Sequence, residues 1–297
     1  MLTFAQLYKK SSMIQSMTGF GKSLLQLPSK KITVEIKSLN SKSLDLNARI
    51  PGQYREKELH LRNLLAKSLT RGKVDFSLHV EVTGEETTAS VNPAVVKKYI
   101  QQLRAIVDGD ETELLKMAVR MPDVLKTERE EIDETEFASI EDAVNEALEE
   151  INKFRYDEGS ALEKDLKFRA ANIENLLVDI IAMDPDRIIG VRERLAKGVA
   201  DLKEKVDENR FEQELVYYIE KFDITEEKVR LDNHLNYFKE TLDSEDSNGR
   251  KLGFISQEMG REINTIGSKS NYFPMQQLVV QMKDELEKIK EQLLNVL

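Results

Sequence analysis

An α+β fold is predicted: an N-terminal antiparallel β-sheet with covering helices, followed by a mostly α-helical C-terminal region. Three observations carry this expectation. Three stretches between residues 32 and 82 alternate apolar and polar side chains, a leucine series at four-residue spacing interrupts them, and from about residue 111 apolar residues recur at helical spacing almost throughout.

In the first alternating stretch Ile32, Val34 and Ile36 separate Thr33, Glu35 and Lys37. In the second, Leu44, Leu46, Ala48 and Ile50 separate Asp45, Asn47 and Arg49; in the third, Val74, Phe76, Leu78, Val80 and Val82 separate Asp75, Ser77, His79 and Glu81. Each strand therefore has one buried and one polar face. Asn40 and Ser41 read as a short turn that pairs the first two strands as a hairpin. MIQSMTGFGKSLLQL, from Met13, adds a further strand, in which Gly19 and Gly21 mark a bend or a close backbone approach.

Leu61, Leu65 and Leu69, with Leu64 beside them, predict a helix before the third long strand, with Gly72 ending it. Asn92 and Pro93 form an N-cap and first-turn pair. The stripe Val96, Tyr99, Ile100, Leu103 and Val107 then predicts a helix that covers the sheet. Residues 13–110 thus read as an N-terminal α+β domain and 111–297 as a helical region. Residues 1–12 read as a disordered extension.

Within the helical region the acidic run 128–136 reads as a solvated connector. Two long helices are expected at about 136–182 and 186–221, the second with Ile188, Val191, Leu195, Val199, Leu202 and Val206 on one side. A last helix places Val279, Met282, Leu286, Ile289, Leu293 and Val296 at alternating three- and four-residue spacing. It either packs inside the bundle or pairs across subunits.

Composition narrows the function. The 297 residues suggest two domains, and the absence of cysteine excludes disulfides, thiolate metal sites and cysteine nucleophiles. The apolar runs are far shorter than a bilayer crossing needs, and the first dozen residues lack a signal-peptide core, so a cytoplasmic protein without membrane association is expected. A net charge of −10 argues against wholesale nucleic-acid coating while leaving room for a local basic patch.

Candidate chemistry clusters near the C-terminus. Asp223 and Glu226 form a capping-box-like start to a helix over 224–242, which turns Leu231, Leu235, Phe238 and Leu242 inward. Glu227, Arg230 and His234 form a ridge beside that stripe. The next helix, KLGFISQEMGREIN, buries Leu252, Ile255, Met259 and Ile263 and sets Glu258 and Glu262 one turn apart. Like charges at that spacing repel. A divalent cation such as Mg2+ or Mn2+ would neutralise them, and so would Arg261 by an ordinary salt bridge. The turn from Asn264 to Ser270 offers Ser268, Lys269 and backbone N–H groups to an anion. It lacks the glycine spacing and preceding strand of a Walker loop, so no nucleotide cofactor is expected. In the N-terminal domain Arg49, Arg71 and Lys73 would line one sheet edge if their strands are neighbours, ready for a phosphate backbone.

Six segments together resemble the bacterial YicC/YloC family: MIQSMTGFGKS (13–23), EIKSLNSKSLDLNARIP (35–51), RGKVDF (71–76), DEGSAL (157–162), ITEEKVRLDNHLNYF (224–238) and GRKLGFISQEMGREINTIGSKS (249–270). The resemblance implies a metal-dependent endoribonuclease acting on single-stranded or structured RNA, with a role in small-RNA turnover, assembled as a ring-like homo-hexamer. Shared segments map onto Gly19, Phe20 and Gly21; Asn40, Asp45 and Arg49; Arg71, Gly72 and Lys73; Arg230 and His234; and Gln257, Glu258, Arg261, Glu262, Asn264, Gly267, Ser268 and Lys269. There are departures. Ser41 and Lys42 stand where the family usually has His and Arg, and Gly260 stands where Asn is usual.

The resulting expectation is phosphodiester hydrolysis in RNA. Glu258, Glu262, His234, Arg230 and Arg261 are the catalytic candidates, and Glu258, Glu262 and Glu227 the metal ligands. Arg49, Arg71, Lys73, Ser268 and Lys269 are the RNA contacts. A noncatalytic RNA-binding adaptor and a purely structural assembly protein are the alternatives.

Overall fold

The computed structural model describes residues 14–83, 90–126, 133–201, 208–244 and 249–297. The predicted extension 1–12 and most of the acidic connector fall outside these residues. A four-stranded sheet is built from β1 (Gly19–Gln26), β2 (Lys30–Leu39), β3 (Leu44–Arg49) and β4 (Gly72–Val82) in the order β1-β2-β4-β3.

The expected β2–β3 hairpin does not form. β2 pairs antiparallel with β1 and β4, whereas β3 pairs parallel with β4, so the sheet is mixed. The reason lies between β3 and β4, where a 3-10 turn at Gly52–Lys57 leads into α1 (Glu58–Ser68). A helix between two strands makes a crossover, and crossovers join parallel neighbours. Leu61 and Leu65 of α1 and Leu69 just beyond it are fully buried, as their spacing predicts. Gly72 opens β4 at φ 125° instead of capping the helix, a backbone that only glycine adopts readily.

The helix α2 (Pro93–Arg104) starts where predicted, with the Asn92 side chain accepting from the Val95 N–H. It does not cover the sheet. It packs with α3 (Glu111–Ala118) around Val96, Ala118 and Val124, beside a small ladder of β5 (Ser90–Val91) and β6 (Leu125–Lys126). Val107 is exposed instead of joining the stripe.

The sheet is covered instead by α4 (Glu134–Asp201), a single helix that continues through Pro185 where two helices were expected. Phe137, Ile140, Val144, Ala147 and Ile151 complete the sheet's core. Leu166, Ala170, Ile173, Leu177 and Ile180, farther along, belong to the core of the helical bundle. Gly21 shows why β1 needs a glycine: a Cβ there would stand 2.1 Å from the Ala147 carbonyl oxygen.

The bundle is completed by α5 (Glu208–Lys221), α6 (Thr225–Leu242), α7 (Gly249–Lys269) and α8 (Phe273–Leu293). The inward residues predicted for α6 and α7 are buried, and all six predicted for the last helix pack inside the bundle. The two ends of the described chain are stitched together, Met17 N–H donating to Asn295 O at 2.8 Å and Leu297 N–H to Gln15 O at 2.9 Å. No described helix is long and apolar enough to cross a membrane.

Candidate active site

Near the junction of the bundle's helices, α6 and α7 pack antiparallel, so the start of one meets the end of the other. The expected capping box does not form: Ile224 is the N-cap of α6 and Glu226 pairs with Arg230, while the Asp223 carboxylate, one residue earlier, accepts from the Thr225 N–H and hydroxyl. Those bonds, with the charges of Lys228 and Lys269 nearby, hold the Asp223 carboxyl below its ordinary range. One turn on, Glu227 is 5% exposed. Its Oε1 receives Lys269 Nζ at 2.7 Å, and Lys269 also donates to the Asp223 carbonyl at 2.9 Å. The other oxygen, Oε2, is buried with no partner.

Seven residues beyond this contact on α6 comes His234, and seven before it on α7 comes Glu262. Seven residues are nearly two turns and return to within about 20° of the same face. His234 and Glu262 therefore occupy the next level of the same helix–helix seam, about 10 Å from Glu227 and Lys269. Glu262 is 8% exposed and forms no hydrogen bond or ion pair with any described residue. Its side chain is largely covered, but its carboxylate oxygens still reach solvent, which leaves them open to a ligand.

The remaining candidates are held more loosely. Glu258 takes the exposed Arg261 at 2.8 Å, the ordinary salt bridge foreseen for that pair. Arg230 pairs with Glu226 at the surface. Ser268 donates to the Thr265 carbonyl at 2.9 Å. In the sheet, Arg49 and Lys73 do lie on neighbouring strands, but the parallel register pairs Lys73 with Asp45 and Arg49 with Ser77. That separates the two cations by about 13 Å along the strands. Arg71 turns its Nε to the Ser41 carbonyl at 2.8 Å.

Among the described residues no group of three or more Asp, Glu and His side chains gathers as a metal site, so Glu227, Glu258 and Glu262 do not form one trio.

Sequence reasoning missed the cluster beneath this seam. Asp184 receives Arg187 Nε at 2.7 Å and Lys228 Nζ at 2.6 Å, and both Asp184 and Arg187 are buried. The three-residue Asp–Arg spacing was a usable signal, masked by reading Pro185 as a break and Ile188 as the inward residue.

Residues 14–164 match the family described as endoribonuclease YicC-like, N-terminal region, and residues 180–297 match endoribonuclease YicC-like, C-terminal. The chain belongs to the YicC-like endoribonuclease family. It is similar to the probable endoribonuclease YicC of Clostridioides difficile, 35% identical over 290 residues, which span 95% of this chain and 99% of that protein. The protein of the same name from Haemophilus influenzae is 30% identical over 287 residues, spanning 96% of this chain and all of the relative. The YicC-like C-terminal match takes in the Asp184 cluster and the whole α6–α7 seam, while Arg49, Arg71 and Lys73 fall within the N-terminal match.

Proposed function

We propose that the chain is an endoribonuclease that breaks RNA phosphodiester bonds at the Glu262–His234 level of the α6–α7 seam. The observation that carries this reading is Glu262, 8% exposed, whose carboxylate reaches solvent and has no hydrogen-bond or ion-pair partner among the described residues. Family membership and the names of both relatives support RNA as the substrate.

Glu262 receives the proton given up by the attacking hydroxyl, whether water or the ribose 2′-OH. As the new P–O bond forms, the bond to the leaving oxygen breaks, and His234 on the facing helix returns a proton to that oxygen. Arg230 and Arg261 are tied only by exposed ion pairs, which are worth little and exchange readily for a phosphate. Lys269 acts differently from its expected role as a free RNA contact: its ammonium is committed to Glu227, so it holds the seam's geometry.

A divalent cation belongs to the same proposal. Glu262, with Glu258 one turn earlier, fits as its carboxylate pair; Glu227 does not fit, because Lys269 occupies it. Bound there with water, Mg2+ or Mn2+ would polarise the scissile phosphate. Homo-oligomerisation to a hexamer completes the reading, supported by Phe168, Val178, Ile181 and Ile189, which stand exposed along α4.

The test is incubation of a labelled hairpin RNA with the wild-type chain, with manganese or with chelator, beside Glu262→Gln and Glu258→Gln. Cleavage lost in Glu262→Gln and suppressed by chelator is expected. Undiminished cleavage by Glu262→Gln overturns the site, and binding without cleavage by the wild type points to a noncatalytic adaptor. Light scattering on the eluted peak reads the assembly.

A further inference from the structure

The first turn of α6 is gripped from two sides. Lys228 turns to α4, where its Nζ donates to Asp184 Oδ2 at 2.6 Å, and Glu227, the residue before it, turns to α7 and receives Lys269 Nζ at 2.7 Å. Neighbouring residues of a helix point about 100° apart, so two consecutive side chains can reach two different helices. The grips have opposite polarity: α6 presents a cation to α4 and a carboxylate to α7.

The grip on α4 belongs to a series. Lys167 pairs with Asp243 at 2.5 Å, Glu174 with Lys239 at 2.6 Å and Asp184 with Lys228, each step along α4 answered by a step back along α6, so the two helices run antiparallel. The first two pairs are open to water, with side chains 31% to 61% exposed, and such pairs contribute little. The third is different. The Asp184 and Lys228 side chains are 9% and 15% exposed, and the buried Arg187 takes the other Asp184 oxygen. Asp184 also stands immediately before Pro185, and proline disfavours helical backbone in the residue that precedes it. The helix nonetheless runs on through this point. Neither helix propensity nor apolar burial accounts for an aspartate here.

His234 lies six residues beyond Lys228, about 9 Å along α6. Whatever fixes Lys228 along the axis of α4 therefore fixes His234, and the Glu227–Lys269 pair locks α7, with Glu262, to the same turn. The apolar stripe of Leu231, Leu235, Phe238 and Leu242 cannot set this level alone, because apolar contact has no direction. A covered ion pair has one geometry, and fixing register is the best-attested use of such groups.

We propose that Asp184 is a positioning residue for RNA cleavage: held by Arg187 and bonded to Lys228, it sets the axial level and rotation of α6 at which His234 faces Glu262. This rests on the proposed endoribonuclease reading and deepens it, assigning to the site a residue that lies beneath the seam and acts only through α6.

The test is the triple variant Asp184→Leu/Arg187→Met/Lys228→Met, in which apolar side chains replace all three charges. Replacing a covered charge cluster in this way is neutral or stabilising, so the thermal midpoint should hold or rise. A displacement of about 1 Å at a catalytic group can cost about 10²-fold in rate, so kcat for cleavage of a labelled hairpin RNA should fall about 10²-fold. KM should not change, since no proposed RNA contact is altered. Asp184→Asn, which keeps the shape and removes the charge, should move kcat the same way to a smaller extent. Glu174→Gln/Lys239→Met, at the open pair, should leave kcat at the wild-type value.

A triple variant with wild-type kcat overturns the assignment, as does an equal loss at the open pair. A fall in activity matched by a fall in folded protein makes the cluster structural and overturns it too. A wild type that cleaves no RNA fails the endoribonuclease reading and this role with it, whereas a cleaving wild type equalled by the triple variant fails the role alone.

Discussion

The two cores of this chain bury opposite charges in opposite ways. Under the sheet, Arg155 is 1% exposed and has no carboxylate partner among the described residues. Its Nη2 donates to Ser38 Oγ at 2.6 Å, to Arg71 O at 3.3 Å and to Met17 O at 3.4 Å, while its Nε is buried with no partner among the described residues. Burial alone pulls its pKa down from the ordinary arginine value. In the bundle, Glu262 is 8% exposed, its carboxylate reaches solvent, and it has no partner among the described residues. A buried charge surrounded by hydrogen-bonding oxygens pins structure, since it ties β1, β2 and the start of β4 to α4. A carboxylate that reaches solvent from a largely covered position, with no protein group committed to it, is left available to a ligand or a reaction.

That contrast breaks down first at Glu262. Glu262→Gln should lower RNA cleavage about 10²- to 10⁴-fold, the usual worth of a positioned proton-transfer group, while the denaturant midpoint stays put or rises. A large fall in stability instead would make Glu262 structural and erase the distinction.

Arg155→Met is the converse experiment. It removes the donor to the Arg71 carbonyl and to Ser38 Oγ, leaving the Met17 carbonyl to Ser38 alone, and should cost about 3 kcal/mol, seen as a lower urea midpoint. If the variant is as stable as the wild type, the sheet does not depend on its buried cation.

Lys269→Met probes the seam between these extremes. It leaves Glu227 buried without its ammonium, and because Lys269 is itself partly exposed the expected cost is about 2 kcal/mol. The double variant with Glu227→Gln should recover most of the lost thermal midpoint. A double variant no better than the single would show that the pair does not hold the seam.

The smallest effect sharpens the electrostatics. Asp223→Ala removes the acceptor of the Thr225 N–H and hydroxyl at the start of α6, at about 1 kcal/mol. Because folding lowers the Asp223 pKa below its ordinary 3.8, the wild type's advantage is present above that value and fades as pH falls through the lower folded value. Urea titrations of both proteins at pH 7 and pH 2.5 should show the gap close. A gap that persists at pH 2.5 would mean the carboxylate is not its source.

Much of this architecture was legible beforehand, and the reasons are local. Period-two alternation marked β2, β3 and β4, Asn92 with Pro93 marked the start of α2, and the inward stripes of α6, α7 and α8 were read residue by residue. Gly21 was flagged for close approach, and Ala147 supplies the atom it approaches. The β2–β3 hairpin and the break at Pro185 were misread for one shared reason: a turn-prone dipeptide or a proline is a local preference, and neither reveals what the flanking segments pack against. At the candidate site, Glu262 was singled out by its spacing from Glu258. Nothing in the sequence separated it from Glu258, whose arginine is three residues away, or from Glu227, whose lysine is 42 residues away.

The sequence by itself determined which residues would be helix or strand and which face of each would be apolar, because hydrogen-bond period and side-chain chemistry repeat within a few residues. Only the tertiary structure decided that β3 lies parallel beside β4, that one helix serves both cores, and that of three clustered glutamates Glu262 alone has no ion-pair partner among the described residues. Those outcomes depend on contacts between segments far apart in the chain, where burial withdraws water and leaves each polar group to the partners the fold brings to it.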